Sequence, residues 1–556
     1  MCGILCFINP RQKSLYQTII SGLEEIQNRG KDSCGIFCAN SPEDWRVFKR
    51  FGTISAILQN TTLSSRLRNM EKSRVFLVQT RYITSQQKKY TRDIYDKLNQ
   101  MIDTENTDHM DFQSFYRETQ PLVRKVADKP LCIIHNGNIK IINKFIAETI
   151  PEYIGVSDYK TDTSLLADFI EFYLKKGVKM PLILKNIVEN IDGAFNLIVY
   201  YREMVYVVRD SLGMRPLSIA KKNQTICITS ESSLYNQIDF TFQREIRPGE
   251  ILICKPSNDS EYETITYGVF RYRARTVDHF ASCALEYVYL SNNNSVFNNI
   301  LIKDARQNFG KQLWSEETEA FKRTVRENKA DYIVSYVPKT AYCAAEGYAK
   351  ECGVSFRDIL QVRRPGRTFI ISNQEERISA LHKKFTINVD SIMSTREIQG
   401  GKRKKLILVD DSIVRGNTLL VIVEKLLATK LFSEIHIRSA APPVHFEDYM
   451  GIDIPTKREL IANQVVTGNT NCSLDTKISD YFKVSSVRYL SVSGLISVLD
   501  YLDPEKTGNN WCVSWSNGEY PIDFEDVWSL YSRLDGKNGN GFHNGNTNGE
   551  MRGFLL

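Results

Sequence analysis

Hydrophobic and polar positions follow two different rhythms along this chain, and the change falls near residue 300. The first apolar run, Gly3 to Ile8, is ended by Asn9-Pro10 and is too short for a helix, so it predicts a buried strand. Leu15, Ile19, Leu23 and Ile26 then recur at helical spacing until Gly30, which predicts a helix directly after that strand. From about residue 75 to 255 the pattern is mostly of strands, over 75–78, 131–134, 194–200, 204–208, 226–228 and 250–254. Asp192-Gly193 and Pro248-Gly249 supply turns, and helical patterns at 163–175 and 181–190 interrupt the strands. Sheets covered by helices are expected here.

Beyond residue 300 the units alternate: a strand at 332–337, a helix at 341–351 ended by Gly353, a strand at 405–409, a helix at 418–428 and a strand at 434–438. Alternation of this kind predicts a parallel sheet with crossover helices. Two segments stand apart. Residues 86–117 are polar and highly charged, and the stretch from Asp535 to Asn548 is rich in Gly and Asn, which reads as disorder.

Composition narrows the class without changing this picture. The 556 residues are 42% hydrophobic and 25% charged, as in ordinary globular proteins. The 72 basic residues are interleaved with 65 acidic ones, and the net charge of +7 makes no case for nucleic acid. Twelve cysteines include no Cys-x-x-Cys pair and the seven histidines are scattered, so a reduced, cytoplasmic compartment is expected rather than a zinc ribbon or a disulfide framework. There is no basic leader before the first apolar run, and no uncharged apolar run reaches the roughly 18 residues of a membrane span.

The chemistry begins at Cys2. Removal of Met1 would leave a thiol beside its own α-amine, whose ordinary pKa of about 7.7–8.0 lets it act as a built-in base. Alone, a second-position cysteine is more often a small buried hydrophobe. Here it is followed in order by Asn28-Arg29-Gly30-Lys31-Asp32-Ser33, Thr80-Arg81-Tyr82-Ile83-Thr84, His135-Asn136-Gly137-Asn138, Thr161-Asp162-Thr163 and Arg209-Asp210-Ser211-Leu212-Gly213-Met214-Arg215-Pro216-Leu217. In that order these motifs resemble the glutaminase domain of the N-terminal-nucleophile amidotransferases. Amide hydrolysis passes through a tetrahedral oxyanion, and preorganised donors, worth about 3 kcal/mol each, must meet it; Asn136 and Gly137 fit that role. Free glutamine carries a carboxylate and an ammonium, which Arg81 and Asp162 would receive, with Thr84 completing the set that the resemblance implies. His135 reads as a structural residue, because the α-amine already provides the base.

A second site is legible where the strand 406–409 runs into Asp410-Asp411-Ser412-Ile413-Val414-Arg415-Gly416-Asn417-Thr418 and a helix follows at once. Carboxylates there can accept from ribose hydroxyls while loop amides at the helix N-terminus hold a phosphate. The string resembles the type I phosphoribosyltransferase signature almost letter for letter.

Together the two halves resemble the glutamine phosphoribosylpyrophosphate (PRPP) amidotransferase family over roughly residues 2–530. The resemblance implies an α/β protein: a four-layer αββα N-terminal-nucleophile hydrolase domain over 2–270, a parallel-sheet phosphoribosyltransferase domain over 271–534, and a disordered tail at 535–556. It implies that glutamine is hydrolysed at Cys2 and that the ammonia displaces pyrophosphate from PRPP to give 5-phosphoribosylamine, the first step of purine synthesis. Asp410, Asp411, Ser412, Val414, Arg415, Gly416, Asn417 and Thr418 would bind PRPP, with Lys339, Thr340 and Arg367, and Asp410 and Asp411 would face the magnesium that accompanies it. A homo-oligomer, dimer or tetramer, inhibited by purine nucleotides, is expected. Glucosamine-phosphate synthase and asparagine synthetase share the front half only, and the back half excludes them.

Several positions depart from the family. The pyrophosphate loop reads Val337-Pro338-Lys339-Thr340-Ala341, the flexible loop carries Gln361 and Arg364, and residues 86–117 are inserted. Many members hold an iron-sulfur cluster on four cysteines. The matching positions are Cys283, Asp448, Cys512 and Trp515, so no cluster is expected. The departures leave two alternatives: a glutaminase uncoupled from PRPP, or a non-catalytic regulator that binds PRPP or nucleotides.

Overall fold

The computed structural model describes residues 2–82, 99, 119–139, 161–258, 261–273, 280–338, 340–362, 385–392, 403–452, 454, 456–466, 472–503 and 510–522. Thr84, Lys339, Arg364, Arg367, the tail and, apart from Asn99, the insertion at 86–117 lie outside the described residues. The chain divides into two compact units, Met1–Glu519 and Tyr520–Leu556, and all that follows concerns the first.

The front half is built on thirteen strands among the described residues: β1 (Gly3–Ile8), β2 (Ser33–Ala39), β3 (Trp45–Phe51), β4 (Val75–Arg81), β5 (Leu122–Val126), β6 (Lys129–Asn138), β7 (Ala194–Tyr201), β8 (Met204–Arg209), β9 (Ser218–Lys222), β10 (Thr225–Thr229), β11 (Thr241–Glu245), β12 (Glu250–Asn258) and β13 (Glu261–Val269). They form two antiparallel sheets, ordered β11-β9-β10-β1-β4-β2-β3 and β13-β12-β8-β7-β6-β5.

Their inner faces meet in a dry layer to which Ile4, Cys6, Leu77 and Ile219 come from one sheet and Ile134, Ile198, Val207 and Leu252 from the other. Each outer face carries helices. Tyr16–Ile26 and Thr61–Asn69 cover the first sheet, and Asp162–Lys175 and Met180–Asn190 cover the second. Period-two burial on both sides of each sheet is why the central strands read as continuous apolar runs. Truncating one of these fully buried aliphatics, such as Leu77→Ala, costs about 2–5 kcal/mol.

The back half contains β14 (Ala281–Cys283), β15 (Val296–Phe297), β16 (Ile300–Leu301), β17 (Tyr332–Tyr336), β18 (Ser355–Phe356), β19 (Leu360–Val362), β20 (Phe385–Ile387), β21 (Lys404–Asp410), β22 (Phe432–Ser439), β23 (Ser486–Tyr489) and β24 (Asn510–Cys512). Five of them make a parallel sheet in the order β18-β17-β21-β22-β23. The αββα sandwich followed by a parallel sheet is the architecture that the sequence implied.

A buried ionic network joins the halves. Arg29, at the end of the first helical segment, bonds Glu231 at 2.7 Å and Glu286 at 2.9 Å, and Arg215 reaches the same Glu286 at 3.4 Å. All four side chains are withdrawn from water, so each charge depends on its partners, and removing one would cost about 3–5 kcal/mol. Ser291 donates to Glu286 as well, at 2.7 Å, which fills the remaining acceptor positions of that carboxylate.

Candidate active site

Cys2 lies immediately before β1, half-buried, and its backbone N donates to Asn136 Oδ1 at 3.2 Å. Asn136 sits near the end of β6, opposite Asn196 of β7, and is fully buried. Its Nδ2 has no hydrogen-bond partner within the protein. A buried amide NH₂ without an acceptor costs stability, about 1–3 kcal/mol. Such an atom beside the candidate nucleophile is a donor held ready for something that the protein does not itself contain.

Gly137 follows, and its identity is dictated by crowding: a Cβ there would lie 1.9 Å from the Ala194 carbonyl oxygen across the ladder. Only glycine lets β6 and β7 stay paired through this point while keeping the backbone beside Asn136 in place.

His135, Arg81 and Asp162 converge around one locus. The His135 ring is buried, its Nδ1 lying 3.0 Å from Thr163 Oγ1 and 3.8 Å from Asp162 Oδ2. Gln120 Oε1 accepts from its backbone N at 2.6 Å, and Gln79 donates to its carbonyl at 2.8 Å. Burial pushes the imidazole below its ordinary pKa; Asp162 opposes this and the Arg81 charge reinforces it. His135 is therefore a neutral ring at pH 7, clamped from several sides.

Asp162 opens the helix Asp162–Lys175, where Thr161 caps by accepting from Ser164 N at 3.2 Å. Its two carboxylate oxygens accept from Thr163 N at 2.8 Å and Ile139 N at 3.2 Å, a favourable site for an anion at a helix N-terminus. Arg81 ends β4 in register with Ser33. A cation and an anion whose charges both act on one neutral ring suit the two charged groups of a free amino acid.

The second site forms where β21 stops. Asp410 and Asp411 are adjacent at the strand end, and Asp411 N donates to Asp410 Oδ1 at 2.9 Å. Thr340 and Ser412 both donate through their hydroxyls to Asp411. Burial pushes both carboxyls up, and for Asp410 the Asp411 charge adds to it. A buried carboxylate beside a half-buried one is short of positive charge. Arg306 supplies part of that, its charge pulling the Asp411 carboxyl back down.

The loop continues through Val414, whose carbonyl accepts from Ile461 N, and Arg415, which pairs with Glu459 at 2.8 Å near the surface. Gly416 then caps the helix Asn417–Ala428 at φ +76, placing Asn417 and Thr418 in its first turn. The first-turn amides of that helix have no intrahelical acceptor and face the loop, as anion-binding loops require.

Some contacts carry no signal in the sequence. Gln120 and Thr163 clamp His135 only because β5, β6 and the Asp162 helix meet. Tyr289 is half-buried, with its phenol pushed well up by burial and by Cys283, Asp411 and Asp448. The carboxylates of Asp411 and Asp448 both act on this side chain.

Cys283 and Cys512 face one another in the parallel ladder of β14 and β24. Burial pushes both thiols up. Asp448 Oδ1 is already committed, accepting from Met450 N at 2.8 Å and Ile452 N at 2.9 Å, and Trp515 is fully buried. Two protonated thiols, one committed carboxylate and an indole do not make the four soft thiolates that a cubane cluster needs.

The chain is similar to known proteins at both levels. A glutamine amidotransferase domain model matches residues 109–236. The amidophosphoribosyltransferase of Homo sapiens is 29% identical, covering 94% of this chain and 98% of its own length, and that of Mus musculus is 28% identical with the same coverage. The Bacillus subtilis enzyme of that name is 27% identical over 90% of each chain. A solved structure of glutamine PRPP amidotransferase from B. subtilis, complexed with ADP and GMP, superposes with a TM-score of 0.70 at 25% identity, covering 94% of this chain and 98% of that one. A solved allosteric regulatory enzyme of purine biosynthesis gives a TM-score of 0.72 at 25% identity. From its first strand to its parallel sheet, this chain is similar to the amidophosphoribosyltransferases over nearly its whole length.

Proposed function

We propose that the chain is a glutamine-dependent amidophosphoribosyltransferase, with a glutaminase domain over 2–270 and a phosphoribosyltransferase domain over 271–534. The observation that carries the reading is the Asn136 side chain: its Oδ1 is held by Cys2 and its buried Nδ2 has no acceptor. With Met1 removed, the Cys2 α-amine takes the thiol proton as the sulfur attacks the amide carbon of glutamine. Asn136 Nδ2 and Gly137 N–H receive the oxyanion, and the α-amine passes the proton to the amide nitrogen as ammonia leaves and the thioester forms. Water then releases glutamate. His135 stays neutral throughout and supports Thr163 and Asp162 rather than moving a proton.

At the second site the ammonia displaces pyrophosphate from C1 of PRPP. Asp410 and Asp411 would accept from the ribose hydroxyls while Ser412, Val414, Arg415, Gly416, Asn417 and Thr418 hold the 5′-phosphate. The same carboxylates fit magnesium, since a pair of hard oxygen donors with raised pKa values is what such an ion, bound mainly through substrate phosphates, would compensate. Bound there, the ion would neutralise charge on the departing pyrophosphate. An iron-sulfur cluster does not fit Cys283, Asp448, Cys512 and Trp515. ADP and GMP, bound by the B. subtilis relative, are the class of inhibitor proposed for this chain, acting on a homo-oligomer.

Glutamine hydrolysis by the purified protein, measured with and without PRPP and magnesium, tests the reading. Stimulation by PRPP is expected; hydrolysis indifferent to PRPP would mean an uncoupled glutaminase.

A further inference from the structure

The oxyanion strand is held from outside its own domain. Tyr449 O accepts from Asn138 Nδ2 at 3.1 Å, and Met450 O accepts from Arg215 Nη2 at 2.5 Å. Immediately after them, Gly451 (φ +98) lies so close to β6 that a Cβ would stand 3.1 Å from the Gly137 carbonyl carbon and 3.3 Å from Asn138 N. The backbone of 449–451 is thus pressed against the peptide that follows the candidate oxyanion donor.

One side chain shapes that backbone. Asp448 is 8% exposed, and its Oδ1 accepts from both Met450 N and Ile452 N, closing a turn over the intervening peptides. Its Oδ2 is buried with no hydrogen-bond partner, while the Arg215 charge acts on the same carboxylate. The same segment begins at Ala440, whose N donates to the Asp410 carbonyl at 2.9 Å. Its middle is fixed by His445 N and Phe446 N, which donate to Trp515 O at 2.9 and 3.0 Å.

We propose that Asp448 is a positioning residue for the glutamine site: it folds the 448–452 turn so that Gly451 and Tyr449 O hold the Gly137–Asn138 peptide and, through it, the adjoining Asn136 side chain and Gly137 N–H that are to meet the oxyanion. The proposal rests on the glutaminase reading above and adds to it a residue more than 300 positions away in sequence, at a position where the resemblance implied only a lost cluster ligand.

The test compares Asp448→Ala, Asp448→Asn and Gly451→Ala in the full-length protein, with two readouts: glutamine hydrolysis, separated into kcat and KM, and formation of phosphoribosylamine from PRPP with ammonium salts in place of glutamine. Asn keeps the Oδ1 acceptor, so Asp448→Asn is expected to retain glutamine hydrolysis within roughly twofold, whereas Asp448→Ala loses about tenfold or more in kcat with KM little changed. Gly451→Ala presses on the same peptide and is expected to lose kcat likewise. The ammonia-dependent reaction persists in all three.

Unchanged glutamine kcat in both Asp448→Ala and Gly451→Ala overturns the proposal. So does an equal loss of both activities, or a failure of Asp448→Asn to behave as wild type. If Asp448→Ala does not fold, Gly451→Ala against Asp448→Asn carries the same comparison. Wild-type protein that hydrolyses glutamine but makes no phosphoribosylamine from ammonia would refute the transferase reading alone, and the kcat comparison would still decide the role of Asp448.

Discussion

The two sites of this chain are prepared in opposite ways. Around Cys2 the protein offers donors: Asn136 Nδ2 is buried without an acceptor, Gly137 is fixed by a carbonyl 1.9 Å from where its Cβ would be, and His135 is neutral and clamped. Around β21 it offers acceptors: Asp410 and Asp411 sit side by side with their carboxyls pushed up by burial. One site is short of negative charge and the other of positive charge. Each deficit matches the chemistry assigned to it, a developing oxyanion in the first and a hydroxylated, magnesium-bearing sugar phosphate in the second.

The largest effect that should separate them is Cys2→Ala. Glutamine-dependent activity is expected to fall by about 10³-fold or more, because the covalent step is lost, while the ammonia-dependent reaction survives. An assay with each nitrogen source in turn checks this, and loss of both activities would mean that the sites are not separable. Next, Asn136→Ala should lower the glutamine kcat by about 10²–10³-fold without weakening PRPP binding, read by steady-state kinetics beside PRPP titration.

In the other direction, Asp411→Asn should weaken PRPP binding by roughly 10- to 150-fold, the worth of one charge-assisted hydrogen bond, and leave labelling of Cys2 by an electrophilic glutamine analogue unchanged. Calorimetric titration with magnesium present reads the first. No detectable binding by the wild type would mean that the departures at Lys339, Gln361 and Arg364 have closed the site, so that the comparison is between a working site and a relic.

How much of this was legible in the sequence depends on how local each feature is. The inner strands β1, β6, β7 and β8 are continuous apolar runs because both of their faces are buried, and the segments read at 131–134 and 194–200 lie inside β6 and β7. The helices at 162–175 and 180–190 matched their periodicity to within a residue. The hairpin of β2 and β3 was missed, because β3 mixes Arg46, Lys49 and Arg50 with its apolar residues, and two of those cations are buried. Edge strand β13 was missed because one of its faces is solvated and carries Glu261 and Glu263.

At the sites, contiguous motifs exposed Cys2, Asn136 and the Asp410–Thr418 loop. The contacts that Arg306, Tyr289, Gln120 and the Asp448 turn make were not exposed, since they depend on chain segments that meet only in the fold. Thr340 was read as a departure in a pyrophosphate loop, and its hydroxyl is engaged by Asp411.

The smallest expected effect concerns stability rather than activity, and belongs to the second region alone. His436 on β22 is buried between Tyr332 and Phe321, and burial, reinforced by Arg438, lowers its pKa to about 4. A histidine whose folded pKa is depressed resists protonation that the unfolded chain accepts, so its stabilising share is full above about pH 6.5 and is lost as pH falls towards 4. Between pH 7 and pH 5 the wild type should lose about 2 kcal/mol more than His436→Gln in denaturant unfolding. Equal losses would show that the imidazole titrates as if exposed.

The central claim is that one chain makes ammonia at the first site and consumes it at the second. The most direct measurement supplies glutamine labelled with ¹⁵N in the side-chain amide, together with PRPP, magnesium and excess unlabelled ammonium. Phosphoribosylamine carrying the label, formed with one pyrophosphate per glutamate, is the result predicted. Product bearing only the unlabelled nitrogen, or glutamate released without pyrophosphate, would contradict it.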